Sequence, residues 1–425
     1  MFYKKNCLLK GQCNANCCRM SLQGKNVAMV VSWLLGTGCL LAFNCILTIQ
    51  DYYLHLFPKY HPSRVLTVAY MPFSLISLII LSYNEAKINT RRRVLVGFTI
   101  FFVGSLLLLA LDLATSGKGG IGSFIGICII SSSFGVASAH VEGGMVGDLS
   151  FMQPDFIQSF SAGMAASGVI ISALRIITKA AFENSKNGLR KGAIMFFAIS
   201  AFFELLCVFL YAYAFPKLPI VKYYRLKAAS EGSKTVSADL AAGGIQTLTV
   251  EENGVQMERR NNKELLKHNF DYAVNIFLIY MLTLFIVPGF LYEDTGSHSL
   301  GTWYVLVLIS AYNVFDFVGR YIPLLKFLNM ESRKGLVIAT ISRLFLFIPA
   351  FYFTAKYGYQ GWMILLTSFL GLTNGYLTVC VFTSAPKGYT GPEQNALGNL
   401  LVLFLISGIC AGVVLDWFWL IDKVG

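Results

Sequence analysis

Long apolar stretches alternate with short polar breaks along almost the whole chain. Eleven of them, at 27–49, 64–83, 95–115, 121–141, 159–180, 193–214, 270–291, 303–324, 336–354, 361–384 and 395–419, match the length of about 20 largely apolar residues that a helix needs to cross a bilayer. In hydrocarbon a helix satisfies its own backbone, so the pattern predicts an all-α polytopic membrane protein with eleven transmembrane helices. One region breaks the rhythm. Residues 228–262 are polar, rich in small residues and without a helical stripe, a composition that predicts a tether rather than a packed element. The chain is thus expected to divide into a cytoplasmic tail (1–26), a six-helix bundle (27–214), a partly disordered cytoplasmic loop (215–269) and a five-helix bundle (270–425). A long cytoplasmic divide between two bundles is common in secondary transporters.

Composition supports this reading. Apolar residues make up 56%, charged residues 13%, and mean hydropathy is +0.62, with charge at about half the usual soluble share. Lys and Arg concentrate in the tail, the 215–269 loop and alternate short connections, which places the N-terminus in the cytoplasm. With eleven spans the C-terminus is then extracellular. The first 26 residues carry Lys4, Lys5, Lys10, Arg19 and Lys25 but no apolar core of their own, so the first span is expected to act as an uncleaved anchor. The net charge of +12 is a topology signal spread over many loops and does not predict nucleic-acid binding. Cys7, Cys13, Cys17 and Cys18 cluster in the tail without a zinc-finger spacing, and a cytosolic tail keeps them reduced. No HExxH, Walker or nucleophile-elbow string is present, so neither metal, cofactor nor catalytic residue is expected.

The most informative polar string lies inside the eighth stretch, Asn313-Val-Phe-Asp316-Phe-Val-Gly-Arg320. At about 100° per residue, Asn313, Asp316 and Arg320 share one helix face. A charge in hydrocarbon costs at least a few kcal/mol unless it is paired or faces a watery cavity. The stripe is therefore either an ion pair that fixes helix register or part of a solute path.

Several strings together resemble the equilibrative nucleoside transporter family, in its plant-type form. They are GGMVGDLSFM (143–152), TLFIVPGF (283–290), Asn313–Arg320, SRLFLFIP (342–349) and NGYL (374–377). The resemblance covers about residues 27–419 and implies a fold related to the major facilitator architecture, six helices plus five, around a central cavity. It implies facilitated or proton-coupled movement of nucleosides, with nucleobases as an open alternative, by alternating access. A transporter-like sensor or scaffold with little flux is the other reading. The implied partners are a nucleoside, the lipid bilayer and, for a symporter, protons. A plasma-membrane address is the expectation. Nothing in the sequence sets the oligomeric state.

The resemblance also implies roles. Asp316 and Arg320 match the residues that hold the ribose hydroxyls, and Asn313 supports them or ties a neighbouring helix. Leu40-Leu41-Ala42-Phe43-Asn44 stands where animal relatives have LLPWN. Phe43 thus replaces a Trp beside the nucleobase and lacks the indole donor, with Leu40 and Leu47 as an apolar wall. Glu142 stands where the family usually has Gln. An ionised Glu only accepts, whereas a protonated one offers a donor and an acceptor, which raises a pH-dependent mechanism. Gly143, Gly144, Gly147, Gly163 and Gly168 are expected at close helix contacts, with Gly163 near the cavity. Asp148 is expected in a cytoplasmic gate.

Overall fold

The computed structural model describes residues 24–60, 62–182, 187–231, 260–287, 301–325, 327–357 and 359–416, with Ser185 and Ser237 besides. The four tail cysteines, most of the 228–262 tether and the last residues of the TLFIVPGF string lie outside the described residues.

Among the described residues eleven helices are candidate spans: α1 (Lys25–Thr48), α2 (Pro62–Tyr83), α3 (Thr90–Thr115), α4 (Ile121–Ser150), α5 (Pro154–Phe182), α6 (Gly188–Phe209), α7 (Phe270–Ile286), α8 (Tyr304–Tyr321), α9 (Arg333–Tyr357), α10 (Gln360–Ser384) and α11 (Gly391–Asp416). Among the described residues ten helices pass a length and hydropathy test alone. The eleventh span needs Asn262–His268 and α7 together, bent by 76° at Asn269. The bend is held by Asn269, whose amide donates to Leu265 O (2.9 Å) and to the Tyr389 hydroxyl (2.8 Å). Large apolar side chains such as Phe202, Phe345 and Ile129 stand outward, as expected of surface solvated by lipid rather than water.

The hydropathy pattern places most spans within a few residues of these bounds. It ends the fourth too early, at 141. The helix continues to Ser150, because its glycine-rich last turns remain inside the protein: Gly143 and Gly144 meet Arg93 and Val94 of α3, and Gly147 meets Asn395 and Asn399 of α11. Nor is the long connection wholly loop. Residues Pro219–Ser230 form a helix opened by Pro219 at its first position, where a missing N–H costs nothing.

Six helices of the first half and five of the second pack as two bundles. Small residues let helices touch without a hydrophobic drive between them. A Cβ at Gly36 of α1 would overlap the Phe160 carbonyl of α5, and one at Gly163 of α5 would overlap the Trp33 carbonyl of α1. In the same way Gly371 and Gly375 of α10 lie against the α8 backbone at Tyr312 and Asp316. The halves meet through α5 against α8 and α10, and through α11 against α2 and α4. Between α1 and α7 no comparable packing exists among the described residues.

One end of the molecule is tightly closed. There Arg93 of α3 donates to Asn399 Oδ1 of α11 (2.7 Å) and to Ala139 O (2.9 Å). The Asp148 carboxylate of α4 accepts from Arg225 of the Pro219–Ser230 helix (2.6 Å), and Glu231 at the end of that helix accepts from the Gly391 amide that opens α11 (2.8 Å).

Candidate functional site

The buried polar groups of the second half converge on α8. Arg320 and Asp316 lie one turn apart, and both Nε and Nη2 of Arg320 sit 3.1 Å from Asp316 Oδ2. Each also reaches other helices. Arg320 Nη1 donates to the Ser161 carbonyl (2.6 Å) and hydroxyl (2.9 Å) of α5, and Nη2 lies 3.5 Å from the Tyr280 hydroxyl of α7. Asp316 Oδ1 accepts from Asn374 Nδ2 of α10 (2.7 Å), and Asn374 Oδ1 accepts from the Thr283 hydroxyl of α7 (2.8 Å). Arg343 of α9 extends the chain: Nη2 donates to Thr283 Oγ1 (3.5 Å) and Leu370 O (3.4 Å), while among the described residues Nε and Nη1 have no hydrogen-bond partner.

Asp316 and Arg320 are only 5% and 4% exposed. A buried pair of this kind persists only when its remaining donors and acceptors are also satisfied, and here α5 and α10 satisfy them. Both oxygens of Asp316 are engaged. A ligand hydroxyl that binds this carboxylate shares or replaces the contacts of Arg320 and Asn374, so ligand binding and helix contacts at this point are coupled.

From the first half, Glu142 of α4 comes within electrostatic range of Arg320. It is 3% exposed, among the described residues no group hydrogen-bonds its carboxylate, and Arg320 is its charged partner in electrostatic range. Tyr70, Tyr280 and Cys39 share its field. With Glu142 ionised, two carboxylates stand against the two guanidiniums of Arg320 and Arg343. Phe43 of α1 stacks on Tyr70 of α2, centroids 3.9 Å apart at 23°. Leu40, Phe43, Asn44 and Leu47 form a partly open stripe on a helix whose other faces are mostly buried, and Asn44 donates to the Ser167 hydroxyl of α5 (2.7 Å). Phe43 and Tyr70 stack within the first half, Arg320, Asp316 and Tyr280 meet in the second, and Glu142 lies within electrostatic range of Tyr70, Arg320 and Tyr280.

Three predicted residues stand apart from this group. Asn313 is a tie between α8 and α5: its amide donates to the Ser172 hydroxyl (2.9 Å) and to Gly168 O (3.3 Å). Gly163 is filled by the α1 backbone and serves helix approach. Asp148 lies at the closed end, paired with the connecting helix rather than with a helix of the second bundle.

Sequence reasoning missed Ser161, Tyr280 and Tyr70 as members of the group. The first lay in a small-residue string read only for packing, and nothing local distinguishes the two tyrosines among the 21 in the chain. Asn374 lies in the NGYL string, but nothing local ties it to Asp316.

The profile of the family described as Nucleoside transporter matches residues 124–421. The chain belongs to that family. The relatives cover nearly all of the transporter: it is 64% identical over 403 residues to the Arabidopsis thaliana protein named equilibrative nucleotide transporter 3, spanning 95% of this chain and 96% of that one. Equilibrative nucleotide transporter 5 of the same plant is 62% identical over 405 residues, again spanning 95% and 96%. Among solved structures, a proton:xylose symporter of the major facilitator superfamily, XylE, aligns with a TM-score of 0.59 at 11% identity, over 93% of this chain and 88% of that one. Fold and family together make this a multi-pass membrane transporter and not an enzyme.

Proposed function

We propose that the transporter moves nucleosides by alternating access, with the ribose hydroxyls taken by Asp316 and Arg320. The observation that carries this reading is the bridging of Arg320 between the halves, to Asp316 on its own helix and to Ser161 on α5. A carboxylate accepts from two vicinal hydroxyls while a guanidinium donates in a fixed fork. Substrate that replaces part of this network changes the contacts between halves, which is what a carrier requires. The base lies toward Phe43, Tyr70 and Glu142, between a stacking face and a carboxylate. Leu40 and Leu47 flank it.

The closed end carries most of the basic loop residues and is the cytoplasmic one under the positive-inside rule. This places the N-terminus inside and the C-terminus outside; the proposed address is the plasma membrane. Asp148 acts at the cytoplasmic gate through Arg225. Residues 27–214 and 270–425 are the rocking halves, and 215–269 is the connection between them.

Glu142 favours proton coupling over simple facilitation. It is a buried carboxylate beside Arg320 with no hydrogen-bond partner among the described residues, so a proton there alters both its donor count and the charge balance of the site. The relatives' names point to nucleotides as a second substrate class, which competition with nucleoside monophosphates tests. Uptake of labelled adenosine and uridine into cells lacking endogenous carriers, with and without an inward proton gradient, tests the whole reading. Saturable uptake enhanced by the gradient is expected. Binding without flux would instead make the protein a sensor.

A further inference from the structure

Four strings that stand far apart in the sequence each send one residue to a single line of buried groups in the second half. The residues are Arg343 of α9 (SRLFLFIP), Thr283 of α7 (TLFIVPGF), Asn374 of α10 (NGYL) and Asp316 of α8, and none is more than 5% exposed. Arg343 Nη2 donates to Thr283 Oγ1 (3.5 Å), the Thr283 hydroxyl donates to Asn374 Oδ1 (2.8 Å), and Asn374 Nδ2 donates to Asp316 Oδ1 (2.7 Å).

The direction of the line follows from what each group can do. An ionised carboxylate only accepts, so Asn374 must turn its NH2 to Asp316 and its carbonyl away. That carbonyl faces the Thr283 hydroxyl, which has one proton and a second acceptor in reach, the Ile279 carbonyl one turn back (2.9 Å). A guanidinium cannot accept, so Arg343 takes a lone pair of Oγ1 and leaves the proton to those acceptors. With the proton on the Asn374 bond, every donor points from guanidinium toward carboxylate, and each bond polarises the next. A second cation is thereby directed at Asp316 without touching it. Glycines set the spacing: a Cβ at Gly375 would overlap the Asp316 carbonyl, and one at Gly371 would crowd the Asp316 amide. This brings α10 close enough to α8 for the short Asn374 side chain to reach. The other oxygen, Oδ2, faces Nε and Nη2 of Arg320. The carboxylate is thus held at both oxygens, and each keeps a further lone pair for a hydroxyl.

We propose that Arg343, Thr283 and Asn374 are positioning residues that fix the rotation of the Asp316 carboxylate, and so set the preference for nucleosides with two vicinal ribose hydroxyls over those without them. The inference rests on Asp316 as the ribose site. The terminal torsion of an Asp side chain is soft, so a carboxylate held by Arg320 alone can turn; the Asn374 bond removes that freedom. Loosening the line weakens a ligand that needs both oxygens in place and spares one that makes no hydroxyl contact.

The test measures binding of adenosine and 2′,3′-dideoxyadenosine to the purified full-length transporter in nanodiscs. Thr283→Val keeps the shape and loses the hydroxyl. It should lower the preference for adenosine by about fivefold, the worth of one neutral hydrogen bond, through weaker adenosine binding alone, and Thr283→Ser should restore it. Asn374→Ala removes the donor to Oδ1 itself and serves if Thr283→Val folds poorly, with at least the same effect. Equal weakening of both nucleosides, or an unchanged preference in a folded variant, overturns the proposal. Asp316→Asn, measured in parallel, separates the two readings. Preference lost there but kept in Thr283→Val and Asn374→Ala removes the positioning role alone. Preference kept in Asp316→Asn removes the ribose site and the positioning role with it.

Discussion

Asp316→Asn is the sharpest perturbation of the proposed substrate site because it keeps the shape and removes one charge. In the wild-type protein Oδ2 faces two nitrogens of Arg320 and Oδ1 accepts from Asn374. The amide oxygen can keep the Asn374 bond, but the new NH2 then points at a guanidinium. Two consequences follow. Arg320 keeps Ser161 but loses its adjacent carboxylate in a site only 4% exposed, and breaking a buried pair costs about 3–5 kcal/mol. Two charge-assisted acceptor positions for the ribose are also lost, at about 1.5 kcal/mol or more each, or about a hundredfold in kcat/KM. Abundance and flux must therefore be measured together, by surface biotinylation and initial-rate uptake of labelled adenosine. The double change Asp316→Asn with Arg320→Gln removes the orphan charge and should recover abundance relative to the single variant, but not flux. Near-normal uptake per surface molecule in Asp316→Asn would refute the ribose assignment.

Three further outcomes follow from named contacts. Glu142→Gln removes a titratable group beside Arg320 while keeping its shape, so wild-type uptake should rise as external pH falls and the variant's profile should be flat; a steep pH dependence retained in the variant would place the proton elsewhere. Arg93→Gln loses the bond to Asn399 that joins α3 to α11 at one end; it is about 1.5–3 kcal/mol at a charged group, and a cysteine introduced near that end should react with a membrane-impermeant thiol reagent at least several-fold faster in inside-out vesicles. Gly163→Val forces α1 and α5 apart, since any Cβ meets the Trp33 carbonyl, and should reduce folded protein severely, as judged by fluorescence size-exclusion chromatography, without selectively altering substrate preference.

The spans were legible because lipid removes alternatives: twenty apolar residues in a row must become a helix. The α8 stripe was legible for the same reason, since Asp316 and Arg320 are too costly in hydrocarbon to be incidental. What the chain did not show locally was what those groups meet. Ser161, Tyr280 and Asn374 reach Arg320 and Asp316 from helices far away in sequence, and only the packing of α5, α7 and α10 around α8 brings them there. The full length of α4 past residue 141 was hidden from the hydropathy pattern because glycines and Asp148 lower it there, although α3, α11 and Arg225 surround those turns. The Pro219–Ser230 helix was hidden by its polar composition, yet it supplies the partner of Asp148 and, through Glu231, a contact to α11. Gly163 was read toward the cavity because the family pattern locates it by sequence position; the α1 backbone occupies that direction.

Counterflow separates a carrier from a receptor with a carrier's fold. Purified transporter in liposomes loaded with unlabelled adenosine should accumulate labelled adenosine transiently above equilibrium, and Asp316→Asn should abolish the overshoot at equal reconstitution. Saturable adenosine binding with no overshoot in the wild-type protein would contradict alternating access as the function of this chain.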